Sequence, residues 1–146
     1  MSNNLLKGKK GIIFGALDEK SIAWKTALRA KEEGANFVLT NAPIALRMGT
    51  LNKLSELTGS KIIPADATSL DDLENLVSET MFLFDGKIDF VLHSIGMSVN
   101  VRKGNLYTKQ KYDWTIKGLD VSALSFHKLM QVLYKNDSIK KWGSIV

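Results

Sequence analysis

No cysteine occurs in the 146 residues, and histidine occurs only twice, at His93 and His127. Disulfides and thiolate chemistry are therefore excluded, and a zinc site is left without enough ligands, so no metal is expected. No run approaches the roughly 18 apolar residues that a membrane span requires. The opening stretch, Met1-Ser-Asn-Asn-Leu-Leu-Lys-Gly-Lys-Lys10, is polar and basic and has no apolar segment of the kind that drives secretion. These absences predict a cytoplasmic protein with no membrane partner. Acidic residues are in deficit, 15 against 20 basic ones, which leaves a formal charge of +5. The basic residues gather at Lys7, Lys9 and Lys10, between Arg102 and Lys111, and at Lys135, Lys140 and Lys141. Nucleic-acid binding needs such residues interleaved with stacking aromatics. Only the surroundings of Tyr107 and Tyr112 approach that pattern, so no nucleic acid is expected and the clusters read as solvated surface.

What is present is a regular alternation. With 45% hydrophobic residues the chain can bury one core, and residues 1–146 read as a single domain. Gly11 to Gly15 is a short apolar run, followed by a helical pattern from Ser21 to Glu33 that Gly34 terminates. Ala35 to Thr40 is a second strand. Pro43 then marks a turn, and Leu46, Leu51, Leu54 and Leu57 define a helix that stops at Gly59. Lys61 to Ala65 is a third strand, which Pro64 restricts to an edge or to the strand's end. Ser69-Leu-Asp-Asp72 opens a helix carrying Leu70, Leu73 and Val77, and Asp85-Gly86 turns the chain into a fourth strand, Ile88 to His93. A polar loop to about Thr108 precedes a helix over 112–134, and Gly143 to Val146 starts a fifth strand. Strands alternating with helices predict an α/β fold of Rossmann type. Right-handed crossovers make it a doubly wound parallel sheet with its cleft at the carboxyl ends of the first and fourth strands.

The candidate residues lie just after those strands. Gly15 follows the first strand and Ser21 opens the next helix, an arrangement that aims backbone N–H groups and the helix dipole at a pyrophosphate. The three-glycine dinucleotide fingerprint is absent. Ala23 can take over the close packing of its third glycine, and Ser21 can cap the helix and donate to a phosphate. Asp66 and Ala67 follow the third strand, where a carboxylate can accept from the exocyclic amine of an adenine. His93-Ser-Ile-Gly96 ends the fourth strand, and Gly96 permits a flat ring to approach the backbone. His93 has no acidic partner near it in sequence and reads as a buried, hydrogen-bonded structural residue. No acidic residue ends the second strand, where Thr40-Asn41 stands.

Taken in order, Lys20-Ser-Ile-Ala-Trp24 after Gly15, Asp66-Ala-Thr68, His93-Ser-Ile-Gly96 and Asp120-Val-Ser-Ala-Leu-Ser-Phe126 resemble the enoyl-[acyl-carrier-protein] reductases of bacterial fatty-acid synthesis. These are a divergent branch of the short-chain dehydrogenases/reductases, and the resemblance runs from about Leu5 to Val146. It implies that Gly15, Ser21 and Ile22 contact the phosphates and ribose of a dinucleotide. It also implies that Asp66 and Ala67 hold the adenine, that Ile95 lies towards the nicotinamide, and that Ser98 meets the acyl substrate. Ala42 stands where NADH-using members often place a glutamine. NADH is implied in preference to NADPH, with an acyl-carrier-protein thioester as substrate and a homotetramer as the full-length assembly, the helix over 112–134 packing against a neighbouring subunit.

In this family a tyrosine stabilises the enolate and a lysine six intervening residues later orients the nicotinamide ribose, both after the fifth strand. Tyr107 with Lys111 and Tyr134 with Lys141 imitate the spacings but precede that strand, so neither is expected to be catalytic. The family's pair is expected beyond Val146, the chain reading as the cofactor-binding front part of a longer enzyme, inactive alone, with an exposed sheet edge at its last strand. A short-chain dehydrogenase acting on a ketone or alcohol and a non-catalytic nucleotide-binding module are the alternatives.

Overall fold

A computed structural model describes residues 2–47 and 50–146. Four strands, β1 (Lys10–Phe14), β2 (Asn36–Thr40), β3 (Ile88–His93) and β4 (Ile139–Ile145), form one parallel sheet in the order β2-β1-β3-β4. The crossovers are α1 (Ile22–Glu32) between β1 and β2, α4 (Leu70–Phe84) between the outer edge of β2 and β3, and the helix over 112–135 between β3 and β4. The central strand β1 is apolar on both faces because both are covered. Ile12 and Phe14 pack with Leu73, Leu76 and Val77 of α4 and with Leu129 and Leu133. Ile13 packs on the opposite side with Ala23, Trp24 and Ala27 of α1 and with Leu51 and Leu54.

The expected third strand shrinks to an edge segment. Residues 61–65 run beside β2, with Leu39 and Ile62 as a single parallel bridge and backbone bonds from Leu39 N–H to Lys61, Ile63 N–H to Leu39 and Ala65 N–H to Asn41. Ile63 and Ala65 on either side of Pro64 make the bonds to β2, and the proline, which has no N–H to donate, falls on the sheet edge that it predicted. The expected helix over Leu46 to Leu57 is two, α2 (Pro43–Arg47) and α3 (Leu51–Thr58), and residues 48 and 49 between them lie outside the described ones. The expected loop after β3 contains a one-turn helix, α5 (Val99–Arg102), and a 3₁₀ turn at Tyr107–Lys109.

The helix over 112–134 runs to Lys135 but is not uniform. α6 (Tyr112–Leu119) passes through a π-helical turn, Asp120–Leu124, into α7 (Ser125–Lys135). β4 starts at Ile139, earlier than expected. Ile88 pairs with Ile139 but Phe90 pairs with Ser144, so extra residues bulge out and carry Trp142 to a positive φ of 68° and nearly full exposure. Among the described residues no helix is long and apolar enough to cross a membrane, and no group of three potential metal ligands occurs.

Candidate functional site

A cleft of about 380 Å³ lies at the carboxyl ends of the strands. One wall carries Asn41, Ala42, Ile44 and Ala45, with Ala65, Asp66 and Ala67 beside them; the other carries Ile95, Gly96, Met97, Val99 and Val121. Of the residues expected to meet a dinucleotide, the fold thus brings Ala42, Asp66, Ala67 and Ile95 into one cavity. Gly15 follows Phe14 of the lining but is not itself part of it. Its φ is +87°, and a Cβ there would fall 1.9 Å from the Ser94 carbonyl oxygen. A side chain is excluded because the ends of β1 and β3 touch at this point.

Ser21 occupies the N-cap position of α1, but its hydroxyl does not cap the helix. It turns back into the loop, donating to the Asp18 carbonyl at 2.7 Å and accepting from Leu17 N–H at 3.3 Å. Asp18 Oδ1 in turn accepts from the N–H groups of Lys20 and Ser21. The loop is held by its own side chains, while the first turn of α1 has neither a side-chain cap nor an acidic residue. α4 differs: Ser69 accepts from Asp72 N–H, and Asp71 and Asp72 sit in its first turn. The positive end of α1 is therefore open to an anion from outside, whereas that of α4 is satisfied internally. Ile22 is largely exposed at this end, and neither it nor Ser21 lines the cavity.

Asp66 is set by its neighbours. Thr68 donates both its N–H (2.8 Å) and its hydroxyl (2.7 Å) to Oδ1, and Asp72 Oδ2 accepts from Asp66 N–H. Oδ2 of Asp66 has no hydrogen bond among the described residues. Burial raises the Asp66 pKa, but the two Thr68 donors and the charges of Lys117 and Lys128 outweigh it and hold the carboxyl below its ordinary value. An ionised acceptor is thus presented beside a pocket lined by alanines. Asn41 is occupied otherwise: its amide donates to the Ala16 carbonyl and its oxygen accepts from Ala42 N–H, tying the end of β2 to the loop after β1. Ser98 accepts from Val101 N–H and caps α5.

His93 is half-buried between the Phe14 and Phe126 rings, and its Nε2 lies 2.8 Å from Ser125 Oγ. Ser125 already gives its proton to the Val121 carbonyl at 2.6 Å, so Nε2–H is the donor to Ser125. His93 does not line the cavity. Burial lowers its pKa, against a hydrogen bond of the ring to its own backbone that raises it. The unfolded chain therefore takes up the proton first, and the stability tied to neutral His93 is present above the ordinary imidazole pKa of about 6.5 and lost as pH falls through the depressed value. Melting temperatures recorded from pH 7.5 to 5 are expected to fall less steeply for His93→Gln than for the unsubstituted chain; superimposable profiles would contradict this.

Neither Tyr-Lys pair lines the cavity. Tyr107 and Tyr134 are almost fully exposed, and Lys111 and Lys141 lie over the rings of Trp114 and Trp142.

A model of the enoyl-(acyl carrier protein) reductase family matches residues 15–146, from the glycine after β1 through β4. The chain belongs to that family. Among solved reductase structures it is similar to FabI from Alistipes finegoldii in complex with NADH, with 61% identity and a TM-score of 0.94, covering 97% of this chain and 50% of that one. An enoyl-[acyl-carrier-protein] reductase [NADH] of Rhizobium meliloti is 31% identical over 86% of this chain and 46% of its own length. The reductase of Aquifex aeolicus, at 24% identity and a TM-score of 0.82, shares the fold. The chain spans about half the length of the curated reductases it matches.

Ile44, Met97, Val99, Arg102, Lys117 and Val121 also reach the cleft, and no local signal in the sequence singles them out. Val121 lies in the family-like stretch Asp120 to Phe126, but nothing near it marks it as the residue facing inward.

Proposed function

We propose that residues 1–146 are the cofactor-binding part of an NADH-dependent enoyl-[acyl-carrier-protein] reductase. The observation that carries this reading is the meeting of Ala42, Asp66, Ala67 and Ile95 around one cleft. The residues fit a dinucleotide. The open first turn of α1, at Ser21 and Ile22, receives the pyrophosphate. Ala42 and Ala67 leave room for the adenosine, Asp66 Oδ2 accepts from its amine, and Ile95 lies along the nicotinamide half. NADH, when bound, supplies the hydride that reduces the enoyl thioester. The chain's own residues bind and orient it, and Ser98, one residue beyond Met97 of the cleft wall, stands towards the acyl substrate.

The basic stretch Arg102 to Lys111 suits an acidic carrier protein. The exposed apolar residues Ile116, Leu119, Leu124 and Met130 of the helix over 112–135 suit packing against further copies in a tetramer. Sedimentation of a full-length enzyme carrying Leu119→Glu is expected to show a smaller assembly than the unsubstituted enzyme; an unchanged tetramer would remove this helix from the interface.

Titration of the chain with NADH, followed by nicotinamide fluorescence, tests the main reading. Saturable binding is expected, with no turnover of a crotonyl thioester by these residues alone. Absence of binding would exclude a dinucleotide site, and turnover would place the catalytic pair within the 146 residues.

A further inference from the structure

The two walls of the cleft come from parts of the sheet that are not neighbours: the turn at 66–69 lies beyond β2, and residues 95–97 follow β3, with β1 between. The π turn and the helix after it carry polar side chains that reach both. The Ser122 hydroxyl accepts from Met97 N–H at 2.9 Å and returns its proton to the Met97 carbonyl at 3.2 Å. On the other wall, Lys128 Nζ donates to the Thr68 carbonyl at 3.0 Å and to Asp120 Oδ1 at 3.1 Å. Both charged side chains are about 70% covered, at 28% and 29% exposure, so this pair is less screened than an ordinary surface one.

Thr68 is the residue whose N–H and hydroxyl both hold Asp66 Oδ1. A lysine that fixes the Thr68 carbonyl therefore fixes which Asp66 oxygen is consumed internally and which is left facing the cavity. We propose that Lys128 is a positioning residue for the adenine half of the dinucleotide, acting through Thr68 on the Asp66 carboxylate and held in place by Asp120. The inference rests on the reading of the cleft as an NADH site. The charge of Lys128 also stabilises ionised Asp66, in the same direction. Lys135 provides the contrast. It makes an exposed pair with Glu74 two turns further along α7 and does not line the cleft.

The test measures binding of NADH directly, and of AMP and reduced nicotinamide mononucleotide by competition, in the unsubstituted chain and in Lys128→Met, Lys128→Arg and Lys135→Met. Lys128→Met is expected to weaken NADH and AMP roughly tenfold, about the worth of one charge-assisted hydrogen bond, and to leave the mononucleotide within about twofold. Lys128→Arg restores most of the loss, because a guanidinium also reaches a carbonyl and a carboxylate together. Lys135→Met removes the same charge and leaves all three ligands within about twofold. Equal losses for AMP and the mononucleotide would mean a general effect of charge or folding and would overturn the proposal, as would unchanged AMP binding in Lys128→Met. Failure of the unsubstituted chain to bind NADH would overturn the cleft reading itself, and this inference with it.

Discussion

Gly15→Ala is expected to destabilise the fold by about 2–5 kcal/mol, combining left-handed backbone strain with overpacking, and to abolish dinucleotide binding. The φ of +87° already disfavours any residue with a Cβ, and that Cβ would sit 1.9 Å from the Ser94 oxygen and 2.7 Å from its carbonyl carbon. Neither side can yield easily. Gly15 N–H is bonded to the Thr40 carbonyl, and Phe14 and His93 are in register one residue before the contact. Relief requires prising β1 from β3 at their carboxyl ends, where the cleft forms. Gly96→Ala is the control: a Cβ there meets nothing within 4 Å, so the stability measured by urea unfolding should stay within about 0.5 kcal/mol of the original. If Gly96 admits a flat ring, NADH affinity falls in that variant without loss of stability. Urea unfolding at the original midpoint for Gly15→Ala would refute a close contact between the ends of β1 and β3.

Asp66→Asn is expected to weaken NADH by roughly 10- to 100-fold, the worth of a hydrogen bond to a charged group, while the chain remains folded. Asparagine keeps the oxygen that takes the Thr68 N–H and hydroxyl, so the turn survives. Its amide nitrogen then occupies the position of Oδ2 and presents a donor to the adenine amine, itself a donor. A dinucleotide with hypoxanthine in place of adenine carries a carbonyl at that position and reverses the preference. The unsubstituted chain should favour the adenine form, and Asp66→Asn should favour the hypoxanthine form or lose its discrimination. Equal affinities of the two proteins for both ligands would separate Asp66 from base recognition.

Much of this site is legible in the sequence because its parts are local. Gly15 is read from an apolar run ending on a glycine, and its positive φ is a property of the strand-to-loop turn. Ser69 is read as a cap from its place before Leu70 and Asp72, and it does accept from Asp72 N–H. Pro64 marks an edge in the sequence and in the fold, although the strand around it reduces to one bridge beside β2. Ser21 shows where local reading stops. Its position before a helix predicts a cap, but Asp18, three residues earlier, turns the loop so that the hydroxyl bonds backward. The helix end is left open as a consequence, and that opening suits an anion better than the expected cap would have done.

The order of elements and the strand ends over which the cleft opens were already legible along the chain. Both follow from apolar periodicity and from the φ angles that glycine and proline allow or forbid, which are set within a few residues. Which side chains tie the cleft walls together emerges from the folded chain alone. Lys128 meets Thr68 across 60 positions, Ser122 meets Met97 across 25, and His93 meets Ser125 across 32. No spacing in the chain encodes those partners. They follow from a π turn that shifts the facing of one helix and from a sheet order that brings β3 beside β1, which are outcomes of packing the whole core rather than of any segment's own preference.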